Sequence, residues 1–212
     1  MSISLPNGVT IAIASSYADA VAISAISNAK PGIVTATHML LAGDLIELTT
    51  GWARLTDKIV RVSAPSDDFF ALEGMDTSRQ AHYPAGGSTG AFRKITGWTQ
   101  LPQILSSTSN GGEQKFLEYQ FLESESERRI PTSKSAAGLA LSVADDPSLP
   151  GYMLASEAND DRLPRAVRIS LPSGSVLLYN AYISLNKTPS LTVNEIMACE
   201  VTLSLLAEPV RY

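Results

Sequence analysis

Two histidines, three adjacent aspartate pairs, one cysteine and two Gly-Gly steps are the groups in this 212-residue chain that could hold a metal, move a proton or cradle a phosphate. His38 and His82 have no Glu-x-x-His or His-x-His neighbour, so a metal site would have to come entirely from tertiary structure, and ordinary structural or solvated roles are expected for both. Asp67-Asp68, Asp145-Asp146 and Asp160-Asp161 invite a calcium or acid/base reading. None has the alternating oxygen ligands and distal Glu that wrap one cation, and turn and cap roles explain all three. Gly86-Gly87 is followed neither by Lys-Ser/Thr nor by a helix, and Gly111-Gly112 sits between strands, so neither aims backbone amides at a phosphate. Gly86-Gly87-Ser88-Thr89-Gly90 has Gly-x-Ser-x-Gly spacing, but a strand and not a helix is expected after it, so it is not read as a nucleophile elbow. Cys199 rules out an intrachain disulfide and reads as a small buried hydrophobe. No catalytic, cofactor-binding or metal-ligating residue is assigned.

One charge pattern remains. Glu123, Glu125 and Glu127 alternate in FLESESERR, so on a strand all three would face one side. Three packed carboxylates repel, so that edge must be solvated or matched by Arg128, Arg129 and Lys134 of a neighbouring subunit. These six residues are the candidate inter-subunit contacts.

The elements that must carry these residues are read from hydrophobic period. Val167, Ile169 and Leu171 interleave with Arg168 and Ser170, and Val201, Leu203 and Leu205 interleave with Thr202 and Ser204, the period of two of half-buried strands. Pro172-Ser173-Gly174 and the longer Asn186-Lys187-Thr188-Pro189-Ser190 separate three such strands, and connections this short make them antiparallel. The sheet reading runs to the last residue, which suits a chain built to assemble. Earlier strands are expected at Val9 to Ile13, after a Pro6-Asn7-Gly8 turn, and at Phe92 to Trp98, Gln100 to Ser106, Lys115 to Phe121 and Ala136 to Ala144. One helix is expected, beginning near Asp145-Asp146-Pro147 and running to about Asp160, with acidic and Pro residues complementing its exposed N–H groups.

Between these lies a run of short strands at Gly32 to Ala36, Asp44 to Thr49, Lys58 to Ser63 and Phe69 to Leu72. Turns at Lys30-Pro31-Gly32, Ala42-Gly43-Asp44 and Pro65-Ser66-Asp67-Asp68 punctuate it, the spacing of a small barrel or sandwich. It closes with Pro84-Ala85-Gly86-Gly87-Ser88-Thr89-Gly90, composed like a flexible linker.

With 44% hydrophobic and 17% charged residues the chain is globular, and no apolar run approaches the roughly 20 residues of a membrane span. The first residues lack a basic stretch followed by an apolar core, so no secretory signal is read. A net charge of -5 argues against tight nucleic-acid binding, which needs clustered Lys and Arg, but suits a wall that lets DNA slide past without sticking.

The runs ITGWTQLPQIL (95–105), GGEQKFLEYQFLESESERRIPTSKSAAGLALSVADDPSLPGY (111–152) and LPSGSVLLYNAYISL…TPSLTVNEIMACEVTLSL…PVRY, with the opening LPNGVTIAIAS, resemble the major tail tube proteins of long-tailed bacteriophages with non-contractile tails (siphovirus type). The middle run, GIVTATHMLLAGDLIEL…GW, is similar to a small β-barrel module of phage virion proteins. That module has His-Gly-Leu ahead of its Gly-Asp turn, and His38-Met39-Leu40 departs from it.

The resemblance implies a mainly β fold: a tail-tube-type β-sandwich with one flanking α-helix (1–21 and 93–212), interrupted by an inserted small β-barrel or sandwich domain (22–92) on the tube exterior. It implies a non-enzymatic subunit with no cofactor, forming hexameric rings that stack into a conduit for duplex DNA. Its partners would be identical subunits and the tape-measure, tail terminator and tail-tip proteins, with no membrane. It would be made in the cytoplasm of a bacterial host and act in the virion. A competing reading is a decoration or tail-tip module that recognises a host surface or another virion protein through Trp52, Phe69, Phe70 and Tyr83. A third, an acidic β-rich hydrolase, would need a convergent acid pair in a pocket.

Overall fold

The computed structural model describes residues 7–212. In chain order its elements are β1 (Thr10–Tyr17), β2 (Val21–Ile23), β3 (Ala25–Ile26), β4 (Ile33–Thr35), β5 (Leu45–Thr50), β6 (Ile59–Ser63), β7 (Phe69–Leu72), β8 (Gly90–Leu101), β9 (Ile104–Asn110), β10 (Gln114–Tyr119), β11 (Arg128–Lys134), β12 (Gly138–Ala144), α1 (Pro150–Asp161), β13 (Arg165–Ser170), β14 (Val176–Asn186), β15 (Ala198–Leu205) and β16 (Val210–Arg211). All pairings are antiparallel, and the main path reads β3-β4-β7-β6-β5-β8-β1-β13-β14-β15-β12-β9. β2 adds to β8 and β16 to β14, while β10 and β11 pair only with each other. The fold is mainly β with one flanking helix, as the sequence indicates.

β8 is the spine. Its first half, Gly90 to Lys94, pairs with β5, and its second half, from Ile95, pairs with β1. β1 bulges around Ser15 and Ser16 opposite Gly97, where a Cβ would come within 2.4 Å of the Ser16 hydroxyl and 2.7 Å of the Ser15 hydroxyl, so a larger residue would force these two side chains to move.

Three apolar clusters organise the chain. Ile11, Ile13, Leu101, Leu141, Val143, Val167, Ile169, Ile183, Leu185, Val201 and Leu203 meet one face of α1, so the sheet from β8 to β12 curls around a single core. A second cluster, with Trp52, Phe70 and Phe92 at its centre, fills the segment from Ile23 to Phe92. Its chain ends, Val21 and Phe92, are cross-strand partners. A third, Ala14, Ile59, Ile95, Ala166, Leu178 and Val210, lies where β6 meets the outer face of the larger sheet.

Local expectations change in three places. The segment 84–90 is not a free tether: the Trp52 indole donates to the Pro84 carbonyl at 2.7 Å, and a Cβ on Gly51 would lie 2.9 Å from the Gly87 Cα, so the loop lies on its own core. β8 runs unbroken through Thr99 and Gln100, and the break falls at Pro102-Gln103, with Gln103 at φ 57. The helix starts at Pro150, later than expected. Asp146 instead accepts from the backbone N–H and hydroxyl of Ser148 at 3.1 and 2.6 Å, so the acid closes a turn ahead of the helix while Leu149 caps it without a side-chain bond. Pro6 of the first expected turn lies outside the described residues; Asn7 and Gly8 do turn, with Gly8 at φ 91.

Candidate assembly surface

Among the described residues no cluster of three or more His, Cys, Asp or Glu has metal-site geometry. Most of the sequence-marked groups have structural partners. His38 accepts from the Leu40 backbone N–H through Nδ1 at 3.1 Å and meets the Phe70 ring edge-on at 4.9 Å. Asp160 pairs with Lys187 at 3.2 Å, and Asp161 with Arg165 at 2.6 Å. Asp68 takes the Thr37 hydroxyl at 3.3 Å. Cys199 is buried in β15, between the Tyr152 hydroxyl at 3.7 Å and the Asp145 carboxylate at 3.4 Å. Burial pushes the Cys199 thiol above its ordinary range, the opposite of an activated nucleophile. The aromatic site of the competing reading is not assembled: Trp52 and Phe70 are fully buried, Tyr83 is half-buried against Trp52, and only Phe69 is exposed.

The six candidate contacts fall on one hairpin, β10–β11, which leaves the main sheet after Gly111-Gly112 and is exposed along nearly its whole length. Glu123, Glu125 and Glu127 are not on a strand; they occupy its turn and are exposed, so the expected one-sided row of carboxylates does not form. Local side-chain bonds explain why. Ser124 Oγ accepts from the Ser126 backbone N–H at 3.3 Å and Gln120 donates to the Ser124 carbonyl at 2.6 Å, which closes the turn. Among the described residues none of the three glutamates makes an ion pair.

The cations are only partly free for a neighbour. Arg129 reaches Glu118 across the hairpin at 2.6 Å, Arg128 lies over the Phe121 ring at 5.8 Å, and Lys134 is paired with Glu208 at the hairpin base. The Lys134 ammonium, helped by Lys58 and Arg54, holds the Glu208 carboxyl below its usual range. The hairpin also bares Phe116, Leu117, Phe121, Leu122 and Ile130, more apolar surface than a solvated hairpin needs.

Sequence reading passed over a second feature. Among the described residues β9, ILSSTSN, is the terminal strand of the sheet path, pairs on one side only with β12, and is exposed from Leu105 through Asn110. It carries no charge and no proline along its seven residues, so it lacks the features that keep an edge strand from pairing with another chain. The strand expected from Gln100 to Ser106 covers only its first three residues, and the polar remainder, Ser107 to Asn110, hides the edge.

No curated protein matches the chain. Among solved structures, it is similar to the sheath/tube terminator of the extracellular contractile injection system PVC in its extended state (17% identity, 53% of this chain and 86% of that one, TM-score 0.41). It is also similar to the tube-terminating cap of the anti-feeding prophage (21% identity, 53% and 81%, TM-score 0.38) and to the PVC sheath-tube complex (17% identity, 50% and 78%, TM-score 0.37). The sequence model described as "Phage tail tube protein, TTP" matches residues 50–212, from the end of β5 through the hairpin, the helix and the three long strands. That family is structural and not enzymatic, and its members are components of the virion tail. With more than half of its length inside the match, this chain belongs to the phage tail tube protein family.

Proposed function

We propose that the protein is the repeating subunit of a tail tube, in which hexameric rings form by lateral pairing and stack into a hollow conduit that carries duplex DNA from capsid to host. The observation that carries this reading is the bare edge of β9. A sheet that ends on an uncharged, two-sided exposed strand is complete only when another strand pairs with it, and head-to-tail pairing between unlike edges closes into a ring when the rotation allows. The family match supports the same assignment.

The hairpin β10–β11 serves as the second contact. Its bared apolar residues are buried against the next subunit, with Glu123, Glu125, Glu127, Arg128, Arg129 and Lys134 setting the register. The unit 22–92 sits outside the tube, and the tape-measure, terminator and tail-tip proteins meet the ring ends. The competing reading of a surface-recognition module is weakened by the burial of Trp52 and Phe70, which removes its aromatic platform.

Negative-stain microscopy of the purified protein at rising concentration tests the reading. Rings or tubes of one uniform diameter are expected. Discrete single-subunit particles at every concentration would contradict it.

A further inference from the structure

The outer face of the sheet is treated unequally along its length. Over β8, β1, β13 and the first half of β14 it is covered by the middle unit, whose Ile59 joins Ala14, Ile95, Ala166, Leu178 and Val210 in one cluster. Over the second half of β14 and across β15, β12 and β9 it is uncovered. There, cross-strand registers align the outward side chains in three rows of four: Tyr182, Ser204, Gly138, Asn110; then Ser184, Thr202, Ala140, Thr108; then Asn186, Glu200, Ser142, Ser106. None of these residues is buried. The alternate positions of the same strands, Ile183, Leu203, Leu139 and Leu185, Val201, Leu141, point into the core.

The composition of this face is unusual for a solvent surface. It holds hydroxyls, amides and small groups, one carboxylate, Glu200, and no Lys or Arg, although the chain as a whole has 16 basic residues. Among the described residues Glu200 makes no ion pair. A surface without cations releases no counterions from a phosphate backbone, so it offers a passing polyanion no binding wells, and apart from Tyr182 and Glu200 its side chains are short.

We infer that these three rows are the wall of the lumen, the surface past which duplex DNA slides; this rests on the tube reading above. Because the sheet curls around one core, the covered and bare parts of its outer face point apart, which sets the middle unit on the exterior when the bare rows face inward. Strands lie about 4.8 Å apart, so a four-stranded face spans roughly 19 Å and six such faces close a wall about 37 Å across, with room for a duplex between the side chains.

Cysteine accessibility tests the assignment, since the native thiol, Cys199, is buried and gives little background. Ser184→Cys and, as a second position, Thr108→Cys are placed on the bare face, and Ser66→Cys on the middle unit serves as the exterior control. In assembled tubes the two face variants are expected to react with a small maleimide while losing reaction with a polymer-linked maleimide too bulky to enter, by more than an order of magnitude relative to free subunits. Ser66→Cys should react with both reagents in both states. Tubes in which the face cysteines react with the bulky reagent, or with neither reagent, would overturn the lumen assignment while leaving the tube reading intact. A wild-type protein that makes no tubes would overturn the tube reading itself and this inference with it.

Discussion

Tyr212 joins the larger sheet to the middle unit. Its hydroxyl accepts from the Arg61 backbone N–H at 2.8 Å and donates to the Glu73 carbonyl at 3.0 Å, and its ring lies 4.3 Å from the Arg61 guanidinium, which itself grips both Glu73 carboxylate oxygens. Burial, offset in part by the Arg61 backbone bond, pushes the Tyr212 phenol up to about 12. A phenol raised in the folded state keeps its full contribution below the unfolded value near 10. Above that, the unfolded chain loses the proton first, and stability falls as pH rises toward 12. Tyr212→Phe is therefore expected to melt lower at neutral pH by roughly 1–2 kcal/mol, for the lost hydroxyl bonds, and to show a shallower fall between pH 10 and 12 than wild type. Parallel slopes in urea melts across that window would contradict it. Asn180 does similar work nearby, donating to the buried Glu47 at 2.8 Å while Arg93 holds the other oxygen at 2.5 Å. Neither set was legible in the sequence, because its members stand some 130 to 150 positions apart and carry no local pattern. Cys199 was legible, since an apolar-period strand placed it on the core side. The glutamate row was misread, because alternation in FLESESERR reflects a turn rich in side-chain bonds and not a pleat.

At the scale of elements, β13, β14 and β15 follow from period two and strong turn residues, and β7 matches its expected limits of Phe69 and Leu72. What local pattern could not show is how far one strand serves two units. β8 binds β5 with its first half and β1 with its second, so the composition break at 84–90 marks a loop and not a seam. Removing residues 24–90 through a Gly/Ser link takes β5 from β8 and uncovers Ala14, Ile95, Ala166, Leu178 and Val210. The shortened protein is expected to melt well below wild type or to lose a cooperative transition by circular dichroism. An unchanged melting temperature would mean that the middle unit only decorates. The helix start also lay beyond local reading: Asp146 is a good cap by type, but its own Ser148 bonds consume it four residues before Pro150.

For the whole molecule, the sheet is continuous from β3 to β9 and among the described residues its two ends do not meet, and the β9 end is an uncharged strand without proline. In a chain of net charge -5, the bare four-stranded face carries no Lys or Arg and a single carboxylate, Glu200, and so is nearly neutral. Both properties suit a part that is finished by copies of itself and touched lightly by what passes through. The most direct measurement is sedimentation velocity across concentration, on wild type and on Ser107→Lys, which adds a charge to the β9 edge off the bare face. Wild type should grow from single subunits into rings and longer assemblies, while Ser107→Lys should keep its melting temperature and remain a single subunit. A wild-type protein that stays a single subunit at millimolar concentration, or a Ser107→Lys variant that assembles as well as wild type, would contradict the account.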